Sequence, residues 1–293
     1  MNKISRRTTL GLLGAAGGLA ATGTLAHPTE AVRVSSSTVN LDDPGQLFTA
    51  FRKLAYSLDE SVTWWWLRGT RFGVVDSVAT PFWDMYVGSW FTTRDLENGD
   101  YEVAMTGANF YTPPGATSLL RTFKNPYTGE DVDIPIRAPS VRRTVLSAEK
   151  ASAFGDVNIP GMKTTQTSDM GPGWIADQDV VIRGDLAFTA QPIDPNSKKS
   201  VLTVNDWSTY VGKLSEVSDP MVKNAACAQY FNDILTYPAW LNMGDHPGSY
   251  VSRCYGRKVF AVEQMPATWQ KLFAEAHPEL ARDPAAILSA PAS

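Results

Sequence analysis

Alternation of apolar and polar residues dominates the middle of the chain. Tyr101, Val103 and Met105 alternate with Glu102, Ala104 and Thr106, and residues 201–208 alternate in the same way. A period of two predicts half-buried β-strands. Turn sequences separate the strand-like runs at 97–100, 111–115, 125–129, 183–185 and 194–196. Short strands at this spacing predict a mainly β fold, an antiparallel barrel or sandwich that is lipocalin-like in outline.

The pattern changes to a helical period near both ends of the chain. Residues 43–46 read Asp-Pro-Gly-Gln, a helix start with an N-cap and a proline at the first position, and apolar residues at helical spacing follow. A second helix is predicted over 221–235, and a last one over 269–276 after a strand at 250–263. Residues 155–176 are expected to form a long loop over the mouth of the barrel, and a lid is one interpretation of it. Residues 42–293 are therefore predicted to form one β-rich domain with terminal helices.

The first 26 residues predict export. Arg6 and Arg7 stand just before an uncharged apolar run at 10–21, the layout of a twin-arginine signal peptide, and cleavage is expected after Ala26 or, as a second choice, after Ala31. The alternative is a membrane anchor, but the run is short and rich in Gly and Ala. We expect a periplasmic or secreted protein that meets the twin-arginine translocase during export, with residues 27–41 as a flexible lead.

Composition narrows the classes of partner. Lys3, Arg6 and Arg7 leave with the predicted leader, which reduces the 26 basic residues to 23 against 30 acidic ones and gives a formal net charge of −7. An acidic chain without a basic run argues against nucleic acid and against anionic membrane surfaces, and no stable membrane insertion is expected. Cys227 and Cys254 are the two cysteines, and the sequence leaves open whether they pair.

Five strings of the chain resemble a known family. They are residues 41–44 (Leu-Asp-Asp-Pro), 57–60 (Ser-Leu-Asp-Glu), 72–77 (Phe-Gly-Val-Val-Asp-Ser), 110–113 (Phe-Tyr-Thr-Pro) and 125–130 (Asn-Pro-Tyr-Thr-Gly-Glu). They are similar to a family of uncharacterised bacterial and fungal proteins, catalogued as domain of unknown function 1838. The resemblance implies a secreted or otherwise soluble protein and lends no catalytic residue, so the site must be argued from the residues themselves.

Several kinds of chemistry lack their usual residues. Of the three histidines only His246 lies in a turn-like setting beside a carboxylate, so no metal site is predicted. The sequence has no Gly-x-Ser-x-Gly elbow, no P-loop and no dinucleotide fingerprint. A cofactor-independent site is therefore predicted, although a flavin or haem can be held without a short motif.

Carboxylates, a tyrosine and arginines among apolar residues remain as candidates. Asp76 follows an apolar run that is read as a strand, Asp84 lies between Trp83 and Met85, and Tyr111 opens a tight turn. A carboxylate buried among aromatic rings has a raised pKa and can exchange protons near neutrality. Asp76 or Asp84 is expected to move the proton, and Tyr111 to donate a hydrogen bond. For each residue a structural role is the competing interpretation.

Aromatic residues are dense between 64 and 111, and we expect these strands to line one interior cavity. Arg253 or Arg257 is expected to face it and to orient an anionic group. The competing interpretation is a solid aromatic core. The predicted binding residues are Trp65, Trp83, Tyr86, Trp90, His246, Arg253 and Arg257.

These expectations favour an exported enzyme of the lyase, isomerase, hydratase or decarboxylase type. It would act by acid–base chemistry on a small hydrophobic or aromatic molecule. Two alternatives stay open at this stage. One is a non-catalytic, lipocalin-like carrier, which would share the cavity but need no perturbed carboxylate. The other is a structural, envelope-associated protein whose aromatic residues form core or partner surface.

Overall fold

A computed structural model describes residues 39–290, except 98, 148, 150–156, 158, 198 and 199. The predicted leader and most of the predicted lead lie outside these residues. Among the described residues, three α-helices are α1 (Pro44–Ala55), α2 (Leu214–Ser218) and α3 (Ala267–Ala276). The strands are β1 (Thr63–Val75), β2 (Val78–Asp95), β3 (Tyr101–Thr112), β4 (Thr122–Lys124), β5 (Asp131–Asp133), β6 (Arg142–Leu146), β7 (Met162–Asp169), β8 (Trp174–Ala176), β9 (Asp179–Pro192), β10 (Leu202–Lys213), β11 (Ala228–Leu235) and β12 (Gly248–Val259).

Ten of these strands form one antiparallel sheet. Its order is β6-β3-β2-β1-β12-β11-β10-β9-β7, and β8 pairs with β9 off this path. The sheet curls strongly into a half-barrel, so the prediction of a mainly β, antiparallel fold with helices at both ends is confirmed. Strands β4 and β5 form a separate two-stranded sheet.

The concave face of the half-barrel is filled at its two ends and open between them. At one end α1 packs Phe48, Phe51 and Leu54 into a cluster with the strand residues Trp65 and Tyr210. At the other end residues of β5 and the short helix at 239–241 pack against β1, β2 and β12. The predicted helix start is confirmed, because the Asp43 side chain accepts a hydrogen bond from the Gln46 N–H at 2.8 Å.

Helix α3 covers part of the convex face. Trp269 and Phe273 pack against Trp90 of β2 and Phe110 of β3. Gly88 makes this contact possible, because a Cβ at that position would lie 2.2 Å from the Trp269 ring. A side chain there would therefore push the helix off the sheet.

Two predicted elements differ in the structure. The predicted helix over 221–235 is wrong, because Ala228–Leu235 forms β11 and pairs on both sides with β10 and β12. The predicted long loop over 155–176 is also wrong in part, because Met162–Asp169 and Trp174–Ala176 pair with β9. In both places, hydrogen bonds to neighbouring strands decide the structure, and the local sequence pattern does not encode those neighbours.

Both cysteines are buried free thiols. In the register of β11 and β12, Cys254 lies opposite Phe231, whereas Cys227 immediately precedes β11. The two residues are thus about four positions apart along the strands, roughly 13 Å at the usual rise, which is beyond the reach of a disulfide. In the described part of the chain, no helix is both long and apolar enough to cross a membrane.

Candidate functional site

Four polar side chains form a row across the concave face. In the strand register Asp206 of β10 lies opposite Asp233 of β11, Asp233 lies opposite Ser252 of β12, and Ser252 lies opposite Arg71 of β1. Side chains directly opposite each other on neighbouring antiparallel strands lie within contact distance. The register therefore places two carboxylates side by side, with one guanidinium at the far end of the row.

Asp233 receives three donors on one oxygen. Its Oδ1 accepts hydrogen bonds from Arg71 Nη1 at 2.5 Å, from the Ser252 N–H at 2.7 Å and from Ser252 Oγ at 2.7 Å. The side chains of Arg71 and Asp233 are both buried, and the Arg71 guanidinium lies 4.3 Å from the centre of the Tyr250 ring. These three donors hold the Asp233 side chain in one position.

Asp206 has fewer polar partners than Asp233. Within the described residues no hydrogen-bond donor or cation pairs with its side chain. Burial raises the pKa of Asp206 to about 7; the negative charge of Asp233 also raises it, and Arg71 acts in the opposite direction. One carboxyl of the pair is thus held by an ion pair and hydrogen bonds, and the other is able to gain or lose a proton at neutral pH.

A cavity of about 360 Å³, which we call the inner cavity, lies beside this row. Asp206, Asp233, Arg71 and Gln229 contribute to its wall. Ser89, Asn109, Arg142 and Thr144 add further polar groups, and most of the other lining residues are apolar, among them Trp65, Leu67, Met85, Val87, Phe91, Met105 and Phe231. A few converging polar groups in an apolar cavity are the usual composition of a small-molecule site.

A second cavity of about 550 Å³, which we call the vestibule, adjoins the inner cavity. Both cavities are lined by the same five residues, Arg71, Ser89, Met105, Asn109 and Arg142. These shared residues mark the junction where one space continues into the other.

Aromatic residues form one wall of the vestibule. Tyr111, Trp240 and Tyr250 line it, and each packs against the fully buried Trp83 with ring centres 5.3, 6.0 and 5.9 Å away. Burial raises the pKa of Tyr250, as does the neighbouring Tyr111, so its hydroxyl stays protonated and able to donate.

The structure brings two of the residues predicted from sequence to these cavities. Trp65 lines the inner cavity, with its Nε1–H donating to the Ala55 carbonyl at 2.8 Å, and Tyr111 lines the vestibule. Trp83 lies behind the aromatic wall and positions its three rings. Residues of the aromatic-dense segment thus line two cavities, whereas one interior cavity was expected.

Neither predicted catalytic aspartate faces the cavities. Asp76, expected within a strand, lies instead in the exposed two-residue turn between β1 and β2, where Asp76 and Ser77 both adopt positive φ. Asp84 lies in β2 on the convex face and accepts hydrogen bonds from Thr70 Oγ1 at 3.2 Å and the Gly115 N–H at 2.9 Å. The expectation that one of them reaches the cavity is wrong.

The remaining predicted residues also lie outside the two cavities. Trp90 is buried beneath α3 and donates to the Pro284 carbonyl, and Tyr86 lines a smaller convex-face cleft beside α3. His246 lies in the loop before β12, beside the Tyr127 ring. Arg253 and Arg257 are exposed, and the strand alternation of β12 turns them to the convex face, opposite to the expectation.

The sequence held a signal for the carboxylate that does face the cavity. Asp206 shares its strand face with Leu202 and Val204, so a charge on an apolar face was visible in the alternation. Arg71 and Asp233 had no comparable signal, because their pairing depends on strands that are far apart in the chain.

Among the described residues, no group of three or more His, Cys, Asp or Glu side chains is arranged to hold a metal ion. The carboxylate row contains two such residues, Asp206 and Asp233, beside a permanent cation.

Comparison with known proteins identifies the family. A family model described as "Protein of unknown function (DUF1838)" matches residues 81–292, more than half of the chain. The chain belongs to this family. The match to DUF1838 includes Asp206, Asp233 and Ser252 and begins after β1, which supplies Arg71. No curated protein and no solved structure matches the chain.

Proposed function

We propose that this DUF1838 protein is an exported, cofactor-independent enzyme that moves a proton on a small hydrophobic or aromatic molecule. Asp206 is the acid–base group. The observation that carries the proposal is the carboxylate pair, in which Asp233 is held by Arg71 and Ser252 while Asp206 faces the cavity without such partners. Separated roles within one pair of carboxyls are a recurrent feature of acid–base sites.

The proposed step is a proton transfer at a carbon beside a carbonyl. The Asp206 carboxylate takes the proton, the electron pair of the C–H bond forms a carbon–carbon double bond, and the carbonyl π pair moves to oxygen. A tyrosine hydroxyl of the aromatic wall, Tyr111 or Tyr250, donates to that oxygen. If the substrate has a double bond β,γ to the carbonyl, return of the proton from Asp206 to the γ carbon gives a conjugated isomer. If it has a leaving group on the β carbon, the enolate re-forms the carbonyl, a carbon–carbon double bond forms, and the group departs with its bonding pair to give a lyase product.

The first test measures the acid–base group itself. Carbon-13 NMR of protein labelled at the aspartate carboxyls should show one resonance that titrates near pH 7 and is missing in Asp206→Asn. The exposed Asp245 provides a matched control, because Asp245→Asn removes the same charge and should leave that resonance in place. A titration of Asp206 near pH 4 would contradict the proposed role.

The second test detects the reaction without knowledge of the product. In D₂O, the wild-type protein and Asp245→Asn should catalyse hydrogen–deuterium exchange at the carbons beside the carbonyl of 2-tetralone, a cyclic ketone fused to an aromatic ring. Asp206→Asn should lower the exchange rate by about 100-fold or more, within the range known for general-base groups. Equal exchange rates in wild type and Asp206→Asn would refute the proposal.

A carrier is the second candidate, because the inner cavity has a largely apolar wall. Saturable binding of planar ligands, together with an ordinary Asp206 titration and no exchange, would favour that function.

A further inference from the structure

The vestibule has a charge pattern that differs from the rest of the molecule. The chain as a whole carries a formal charge of −4. Among the described residues that line the vestibule, three are arginines, Arg71, Arg137 and Arg142, and none is Asp or Glu. An acidic protein thus has one cavity whose described lining contains three arginines and no acidic residue.

Two of these three arginines are available to a ligand. Arg71 is already bound to Asp233. Arg137 and Arg142 are exposed, and no carboxylate in the described part of the chain forms a salt bridge with either. The adjacent Arg143 is different, because strand alternation turns it to the convex face, where it contacts Glu102 at 3.1 Å and the Leu288 carbonyl at 2.8 Å.

The position of Arg142 links the vestibule to the reaction site. Arg142 lies opposite Met105 in the register of β6 and β3, and both residues line the two cavities at their junction. A guanidinium at this junction can bind an anion in the vestibule while the rest of the ligand extends toward Asp206. The aromatic wall of Tyr111, Trp240 and Tyr250 offers a surface for a planar ring.

We propose that the vestibule is a carboxylate-binding subsite, and that the substrate is a planar organic acid. Its anionic group pairs with Arg137 and Arg142, its ring lies against the aromatic wall, and its reacting carbon enters the inner cavity. The placement of the reacting carbon in the inner cavity rests on the proposed function. The anion subsite itself is inferred only from the arginines and the aromatic rings.

The test compares an anionic probe with a neutral one of the same shape. Quenching of tryptophan fluorescence should show that 2-naphthoate binds at least tenfold more tightly than 2-naphthamide, and that added salt reduces the difference. Arg137→Ala and Arg142→Ala should each weaken 2-naphthoate binding by about tenfold, the size expected for one charge-assisted hydrogen bond, and change 2-naphthamide binding less than twofold. Arg253→Ala is the matched control, because it removes an exposed positive charge from the convex face.

The possible results separate the two proposals. Equal binding of the two probes, binding of neither, or an equal loss in Arg253→Ala would overturn the carboxylate subsite. A preference for 2-naphthoate that depends on Arg137 and Arg142 but comes without proton exchange would support the subsite and remove the proposed reaction. Proton exchange on neutral ketones without any preference for the anionic probe would support the proposed reaction and overturn the carboxylate subsite. Because both arginines are exposed, the variants should fold, and circular dichroism checks this.

Discussion

Asp206→Asn should make the protein more stable at neutral and alkaline pH. Folding raises the pKa of Asp206 from its ordinary 3.8 to about 7. A group with a raised folded pKa binds more protons in the folded state between these two values, so the free energy of unfolding falls as pH rises from about 4 to about 7. An asparagine keeps the shape and never acquires the charge, so the variant should not show this fall.

The size of the effect follows from the shift. One pKa unit corresponds to about 1.4 kcal/mol, so a shift of about three units sets an upper limit of about 4 kcal/mol. Asp206 is only partly buried and faces an open cavity, so solvent screens part of this energy. We therefore expect the variant to be more stable than wild type by about 2 kcal/mol above pH 8 and equally stable near pH 4.

Urea unfolding of both proteins between pH 4 and pH 9 measures this difference directly. Asp245→Asn should follow the wild-type curve, because its carboxylate is exposed. Parallel curves for wild type and Asp206→Asn between pH 5 and pH 8 would refute the reasoning, since they would mean that folding does not raise the pKa of Asp206. A gain in stability together with a loss of proton exchange would show that this carboxylate is retained for function at the expense of stability.

Two further predictions concern packing and export. Gly88→Ala should destabilise the protein by about 1–3 kcal/mol, because the new Cβ overlaps the Trp269 ring; hydrogen–deuterium exchange should then be faster in α3 than in α1, and an unchanged α3 would contradict the packing. Replacement of Arg6 and Arg7 by lysine should leave the full-length precursor in the cytoplasm, as detected by fractionation and immunoblotting, because the twin-arginine route recognises the arginine pair; normal accumulation outside the cytoplasm would refute the export prediction.

The sequence correctly predicted the helices and strands that are determined by residues close together in the chain. The N-cap at Asp43 and the alternation through 101–106 and 201–208 depend on neighbours in the sequence, and the structure has α1, β3 and β10 at these positions. The helix predicted over 221–235 is wrong, because apolar residues that fit a helical spacing also occur in this strand. Pairing with β10 and β12, which the local sequence does not encode, makes it a strand.

The site was only partly predictable for the same reason. The aromatic density indicated a cavity; in the structure Trp65 lines the inner cavity and Tyr111 lines the vestibule. The choice among carboxylates failed because burial depends on which face of a strand is turned inward. A two-residue turn places Asp76 in solvent, whereas the register across four strands brings Asp206 and Asp233 together.

The seam between β1 and β12 has a consequence for the order of folding. The first strand of the sheet, β1, pairs with the last, β12. The part of the sheet formed by β6, β3, β2 and β1 therefore joins the part formed by β12, β11, β10, β9 and β7 only when β12 has been synthesised. Until then Arg71 lacks both Ser252 and Asp233, and α1 has no complete surface to cover. Non-local pairing of this kind makes folding slow and largely post-translational.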